Sequence, residues 1–353
     1  MPEKLTKIYF GSSIGSTHIA KQTSNQDAVG SWIAPDGVHF CVAISDGHGS
    51  SAHPHSEYGS KLAVTITLEV YKEFFDQGLV SVDPIILFQR IITRWSAGCI
   101  EHFSEQISGE NTPKDSILKL YGATLCITYV SGDSISIGSL GDSTVYFRNH
   151  SGHFSKFLIH DDVPGEATFS LCQTNPLAHV EVIHIPYSSG LIVLSTDGII
   201  KSLKSAADYA LIADYYLGLL NTDCPATQLS ADLTSQLESF SRDGSGDDCT
   251  LAMVYIPVDK KFDRSSKSAP DKLHEYSEEY PLKIASGYKK KLLVPITKPL
   301  LLTSLLFIIA LLSIVILYNP IKKHLLHLTR STLCSKVLLP GQHQNLNRLV
   351  VGQ

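Results

Sequence analysis

The sequence predicts an α+β fold of paired strands and long helices, followed by one apolar helix near the far end. Three observations carry this. Six short segments rich in Val, Ile, Thr and Tyr, at 38–45, 123–130, 134–140, 143–148, 190–196 and 250–256, have strand character. Stretches with helical spacing lie between them. Nineteen consecutive residues without a charge, 300–318, begin at Leu300 and end at Tyr318. Clustered strands with intervening helices suggest two sheets packed together and covered by helices. Other α+β arrangements accommodate the same pattern.

The elements follow in order. The first apolar run, Val38 to Ile44, stops just before Asp46. Tyr58, Leu62, Ile66, Val70 and Phe74 then recur at every fourth residue and give a helix one apolar stripe. Asp83-Pro84 opens a second helix, with Asp as N-cap and Pro at the first position. Ser131-Gly132-Asp133 makes a hairpin turn between the strands at 123–130 and 134–140. Residues 149–186 are long and polar, which fits either a surface loop or a substrate-facing flap. The strand at 190–196 leads into Asp197, and a third helix begins near Pro225 with Leu229, Leu233, Leu237 and Phe240 on one side. Residues 1–258 therefore form one domain. Residues 259–298, rich in Lys, Asp, Ser and Glu, form a polar linker. Residues 299–319 form an apolar helix and 320–353 a tail.

The bulk numbers exclude some classes. Charged residues make up 18% and the net charge is −5, with no Lys/Arg-rich stripe in the first 250 residues, so nucleic acid is not an expected partner. Seven cysteines at 41, 99, 126, 172, 224, 249 and 334 contain no CxxC pair, and four (41, 99, 126 and 249) sit in apolar runs. That pattern is one of core thiols in a reducing compartment, not of disulfides or zinc. His53-Pro54-His55 with His48 has the composition of a metal cluster, but Pro54 disrupts helical presentation of the ring pair.

The chemistry-bearing residues are acidic. Asn25-Gln26-Asp27, Asp46-Gly47-His48-Gly49, Thr196-Asp197-Gly198 and Gly246-Asp247-Asp248 are spread through the first 250 residues. Asp-Gly is by itself a common turn dipeptide. Here Asp46 and Asp197 stand where strand-like runs end, so both carboxylates can reach a shared cleft. Carboxylates gathered from distant parts of a chain suit hard divalent cations such as Mg²⁺ or Mn²⁺.

Taken in order, NQDA, SDGHG, GATLCITYV, GSLGDSTVYF, LIVLSTDG and GDDCTL resemble the metal-dependent serine/threonine protein phosphatases of the PP2C (PPM) class, in its bacterial-type branch. The resemblance spans residues 8–256. It implies a four-layer α/β/β/α sandwich of two antiparallel sheets, with a metal cleft at one end. It implies two Mn²⁺ or Mg²⁺ ions, phosphorylated proteins as substrates, and hydrolysis of phosphoserine and phosphothreonine by direct attack of a metal-bridging water. By the same resemblance Asp46 bridges both ions and Gly47 offers its carbonyl. Asp197 and Asp247 hold the first-site ion, Asp27 supports the site, and His48 is the general acid. Asp248 stands where the family usually has Asn and is expected beside the site.

Three departures from the family pattern stand out. Gln26 replaces the usual Glu. The phosphate-binding Arg expected at position 22 is Gln22, which leaves Lys21 or His18 for that role. Position 201, often an Asp serving a third ion with the counterpart of Asp142, is Lys201, so a third ion is in doubt and the ammonium would take its place. These departures admit an alternative, a pseudophosphatase that binds phosphoproteins without turnover. Residues 300–318 would extend about 28 Å as a helix, close to the thickness of a bilayer core. The reading is a single-pass membrane protein with the phosphatase domain on the cytoplasmic side. The start of the chain lacks an apolar signal-length run. Close to the run, five Lys (283, 289, 290, 291 and 298) before it against four Lys/Arg (322, 323, 330 and 336) after it do not set the orientation.

Overall fold

The computed structural model describes residues 5–106, 112–149, 154–158, 168–222 and 224–258. The expected linker, apolar helix and tail lie outside these residues, as does Cys334. The chain opens with β1 (Lys7–Ser13), the short helix α1 (Ser16–Lys21), β2 (Ala28–Ile33) and β3 (Phe40–Ser45). Two long helices follow, α2 (Ser56–Asp76) and α3 (Pro84–Gln106), and then α4 (Lys114–Lys119). Next come β4 (Leu125–Ser131), β5 (Ser134–Leu140), β6 (Thr144–Asn149), β7 (Phe154–Leu158), β8 (Glu181–Pro186) and β9 (Gly190–Ser195). The helical turn α5 (Asp197–Ile200), helices α6 (Ala206–Asn221) and α7 (Ala226–Phe240), and β10 (Cys249–Ile256) complete the set.

The strands form two antiparallel sheets, ordered β1-β10-β9-β6-β7 and β2-β3-β4-β5-β8. Strand β3 shows why the chain builds layers. Phe40, Val42 and Ile44 face the other sheet and pack with Val145, Ile192, Leu194, Ala252 and Val254. Cys41 and Ala43 face the opposite way, into a second core with Ala63, Val64, Val70, Phe88, Ile91 and Trp95 of the long helices. A strand covered on both faces is apolar at every position, which is what its sequence shows. On the far side of the first sheet, Leu233 and Leu237 of α7 lie against Gly11 of β1, and Tyr209 of α6 stacks on Tyr146 of β6 at 4.0 Å. The order is helices, sheet, sheet, helices.

Local chemistry fixes the joints. Asp83 caps α3 by accepting from the N–H groups of Ile85 and Ile86 at 2.8 and 3.3 Å, and Pro84 is the first helical residue. Gly132 takes φ +62° in the β4–β5 turn, a conformation that suits Gly. The helices α2 and α3 meet closely enough for Trp95 Nε1 to donate to Gly59 O at 2.9 Å. A Cβ on Gly59 would lie 2.0 Å from Tyr121 O, so only Gly fits there.

The register places one set of strand ends together. Ala28 of β2 pairs with Ser45 of β3, Ile44 with Cys126 of β4, and Leu125 with Leu140 of β5. In the other sheet Thr144 of β6 and Leu251 of β10 both pair with Ser195 of β9, and Ser13 of β1 pairs with Cys249. The residues just beyond those ends are Asp27, Asp46, Asp142, Asp197, Asp247 and Asp248.

Several elements depart from the sequence reading. The expected strand at 38–45 begins at Phe40, because Asp36 Oδ1 accepts from the N–H groups of Val38 and His39 and holds them in a turn. Strands β1, β2, β7 and β8 and helices α1, α4, α5 and α6 lie outside the strands and helices that the sequence predicts. Residues 149–186 are more than a loop, since β7 pairs with β6 and β8 with β5. Among the described residues no helix is long and apolar enough to cross a membrane.

Candidate active site

Asp46 is the first residue past β3. Its N–H donates to Thr124 Oγ1 at 2.9 Å, and its carbonyl accepts from Thr124 N at 2.8 Å. Gly47 continues with a bridge to Ala123 and an N–H donated to Gln26 O at 3.2 Å. A Cβ at Gly47 would stand 2.6 Å from Gln26 O, so the close approach of the two segments requires Gly. His48 N–H donates to Gly122 O at 3.0 Å, and its ring lies 4.9 Å from that of His53. Burial and then His53 lower the His48 pKa, while Asp142 acts to raise it.

Asp27 is buried between the sheets' ends. Thr196 Oγ1 donates to its Oδ2 at 2.8 Å, and the same hydroxyl accepts from Thr250 N at 3.1 Å. Asp197 opens α5 and Asp247 lies two residues before β10. Lys201 joins them, with Nζ 2.6 Å from Asp197 Oδ2 and 3.1 Å from Asp247 Oδ2. Asp142, after β5, accepts from Thr168 Oγ1 at 2.8 Å.

Five carboxylates brought this close resist ionising together. Burial, then Asp27, Asp197, Asp142 and Asp247, push the Asp46 pKa well above its ordinary value. Burial is also the main cause that raises Asp27 to about 8, with Asp248 and Asp197 adding to it. Asp197 rises to about 6 through burial and Asp142, although Lys201 pulls it down. Burial lowers the Lys201 pKa, but Asp197 and Asp247 outweigh that and raise it. Repulsion on this scale is relieved by cations.

The donors fit a hydrated divalent ion. Three oxygens here, Gln26 Oε1, Asp27 Oδ1 and Asp197 Oδ1, are buried without a hydrogen-bond partner. Among the described residues no three acidic, imidazole or thiol groups converge to hold an ion by themselves. Part of the reason is visible: Asp247 Oδ2 and Asp197 Oδ2 are drawn to Lys201, and Asp247 Oδ1 accepts from Asp248 N at 3.0 Å. Mg²⁺-type ions keep several waters and take only one or two carboxylates from the protein, which this set supplies.

The other expected residues are placed as follows. His18 Nδ1 lies 2.9 Å from Asp248 Oδ1 and its Nε2 3.9 Å from Asp247 Oδ1. Lys21 is exposed in the last turn of α1. Lys201 lies against Asp197 and Asp247, the pair expected to hold the first-site ion, and the hydroxyl on Asp142 is that of Thr168. Asp248 is more than a neighbour. Its Oδ1 accepts from Gly15 N at 2.6 Å and its Oδ2 from Gln26 N at 2.7 Å, which ties α1 and the Gln26-Asp27 segment to the start of β10. Sequence reasoning missed Thr124 and Thr196, since a hydroxyl that positions a carboxylate from another strand leaves no local pattern.

Residues 14–238, more than half of the chain, match the profile of the protein phosphatase 2C family. Similar solved structures include a bacterial serine phosphatase at 16% identity, covering 72% of this chain and 99% of that one with a TM-score of 0.49. The catalytic domain of the serine/threonine phosphatase PstP, in complex with two manganese ions, has 13% identity, coverage of 72% and 99%, and a TM-score of 0.47. Stp1 of Staphylococcus aureus, a serine/threonine phosphatase, has 14% identity, coverage of 72% and 96%, and a TM-score of 0.45. No curated protein matches the chain in sequence.

Proposed function

The chain belongs to the protein phosphatase 2C family and is a protein serine/threonine phosphatase; on that premise we propose how its residues divide the work. The observation that carries the proposal is the cluster of Asp27, Asp46, Asp142, Asp197 and Asp247, with buried oxygens lacking partners, at one end of both sheets. Asp46, the Gly47 carbonyl, Asp197 and Asp247 would hold two Mn²⁺ or Mg²⁺ ions. Such ions neutralise phosphate charge and lower the pKa of a water, which is the chemistry that hydrolysis of a phosphate monoester needs.

The protein's own groups orient and protonate. Thr124 fixes the backbone of Asp46, and Thr196 fixes the carboxylate of Asp27. To His48, whose N–H donates to Gly122 O, we assign delivery of a proton to the departing serine or threonine oxygen. Replacing Asp46 by Asn keeps the shape and removes the charge. Asp46→Asn is expected to lower kcat on a phosphoserine peptide by several orders of magnitude while the chain still folds by circular dichroism. Wild-type turnover in a folded Asp46→Asn protein would overturn this assignment. The apolar run at 300–318 supports a membrane tether for the domain, with the free cysteines among the described residues and the phosphoprotein substrate class favouring the cytoplasmic side.

A further inference from the structure

We propose that Lys201 is a resident cation of the metal centre and competes with the first-site ion for Asp197 and Asp247. The inference rests on the metal-dependent reading above. The backbone sets it up. Asp197 starts a single helical turn, Lys201 N–H donates to Asp197 O at 2.8 Å, and the i,i+4 spacing returns the Lys side chain over the Asp. Asp247 arrives from the other side, on the segment leading into β10. One ammonium thereby contacts both carboxylates, at 2.6 and 3.1 Å.

The oxygen inventory makes this competition, not coexistence. Asp247 Oδ2 faces Lys201, and its Oδ1 already accepts from Asp248 N. Asp197 keeps only Oδ1, which is buried and without a partner. A divalent ion held through Asp197 and Asp247 would sit beside the ammonium that bridges them, and two positive centres at such range repel. Lys201 is about half exposed, so it has room to swing into solvent when it yields. Two ions at this centre would then be held unequally, since one held through Asp197 and Asp247 would bind only as Lys201 leaves.

The test is Mn²⁺ binding by isothermal calorimetry on the full chain, without substrate, comparing wild type with Lys201→Met and Lys201→Arg. Wild type is expected to show two sites of different affinity. Lys201→Met should tighten the weaker site on the order of 10–100-fold, the range over which groups around a metal's ligands tune its affinity, with the number of ions unchanged. Lys201→Arg, which keeps the charge, should behave as wild type. In EDTA, Lys201→Met should melt at a lower temperature than either, because the carboxylates lose their resident cation. Two ions bound with equal affinities in all three proteins would overturn the competition and leave the metal-dependent reading standing. Absence of Mn²⁺ binding in every variant would overturn both.

Discussion

His48 is the residue whose role separates most cleanly from the others. A general acid matters in proportion to how badly the leaving group needs a proton. His48→Ala is expected to cost on the order of 10²–10⁴-fold with a phosphoserine peptide, and far less with p-nitrophenyl phosphate, which departs without help. Equal losses on both substrates would remove His48 from the acid role. The carboxylates give a second residue-scale prediction. An unfolded Asp titrates near 3.9, whereas Asp197 is raised to about 6 and Asp27 to about 8. The folded chain therefore holds protons that the unfolded chain releases. That stability is fully present below about pH 4 and is lost as pH rises through 6 towards 8. In EDTA the melting temperature should fall between pH 5 and pH 8, and saturating Mn²⁺ should shrink the fall. A melting temperature that climbs with pH in EDTA would contradict the assignment. Asp46 and Asp197 were legible because each follows an apolar run and precedes Gly. The contact of Lys201 with Asp247 was not, since it depends on two chain segments 46 residues apart meeting.

At the scale of elements, the link between helix packing and the site runs through Gly59. Its lack of a side chain lets α2 approach Tyr121, and the next residue, Gly122, accepts the His48 N–H. Gly59→Ala would push a Cβ into Tyr121 O and is expected to destabilise the fold by about 1–3 kcal/mol, the usual cost of overpacking. It should also lower kcat with peptide substrates through displaced Gly122. Unchanged stability, read by urea denaturation, would show that the contact relaxes without cost. The elements legible in sequence were those with one strong period, such as α2, α3 and α7, or a fully buried run, such as β3, β4 and β9. Strand β1 is exposed or half-buried at most positions and so lacks a clean alternation. Helix α6 carries Ala, Leu and Tyr around much of its circumference, which blurs its stripe. Helix α1 is too short to establish a period.

At the scale of the whole molecule, the two sheets act as a frame that aims six aspartates from distant sequence positions at one end. The family order of the motifs made this arrangement legible, while pairing register, which puts all those strand ends on the same side, came only from the structure. If residues 300–318 span a membrane with the phosphatase domain inside, protease added to intact cells or spheroplasts should trim the tail after Asn319 and spare the domain. Extraction of the chain from membranes by carbonate would contradict the span. Whether the carboxylate centre of this frame performs metal-dependent dephosphorylation is decided by one assay. The full chain is incubated with phosphoserine and phosphothreonine peptides in Mn²⁺ or in excess EDTA, and phosphate release is measured. Release in Mn²⁺ that disappears in EDTA and returns on adding Mn²⁺ is the expected result. Release that is the same in both, or absent from a folded chain that binds Mn²⁺, would contradict the account, and the second outcome would mark the chain as a phosphoprotein-binding module without turnover.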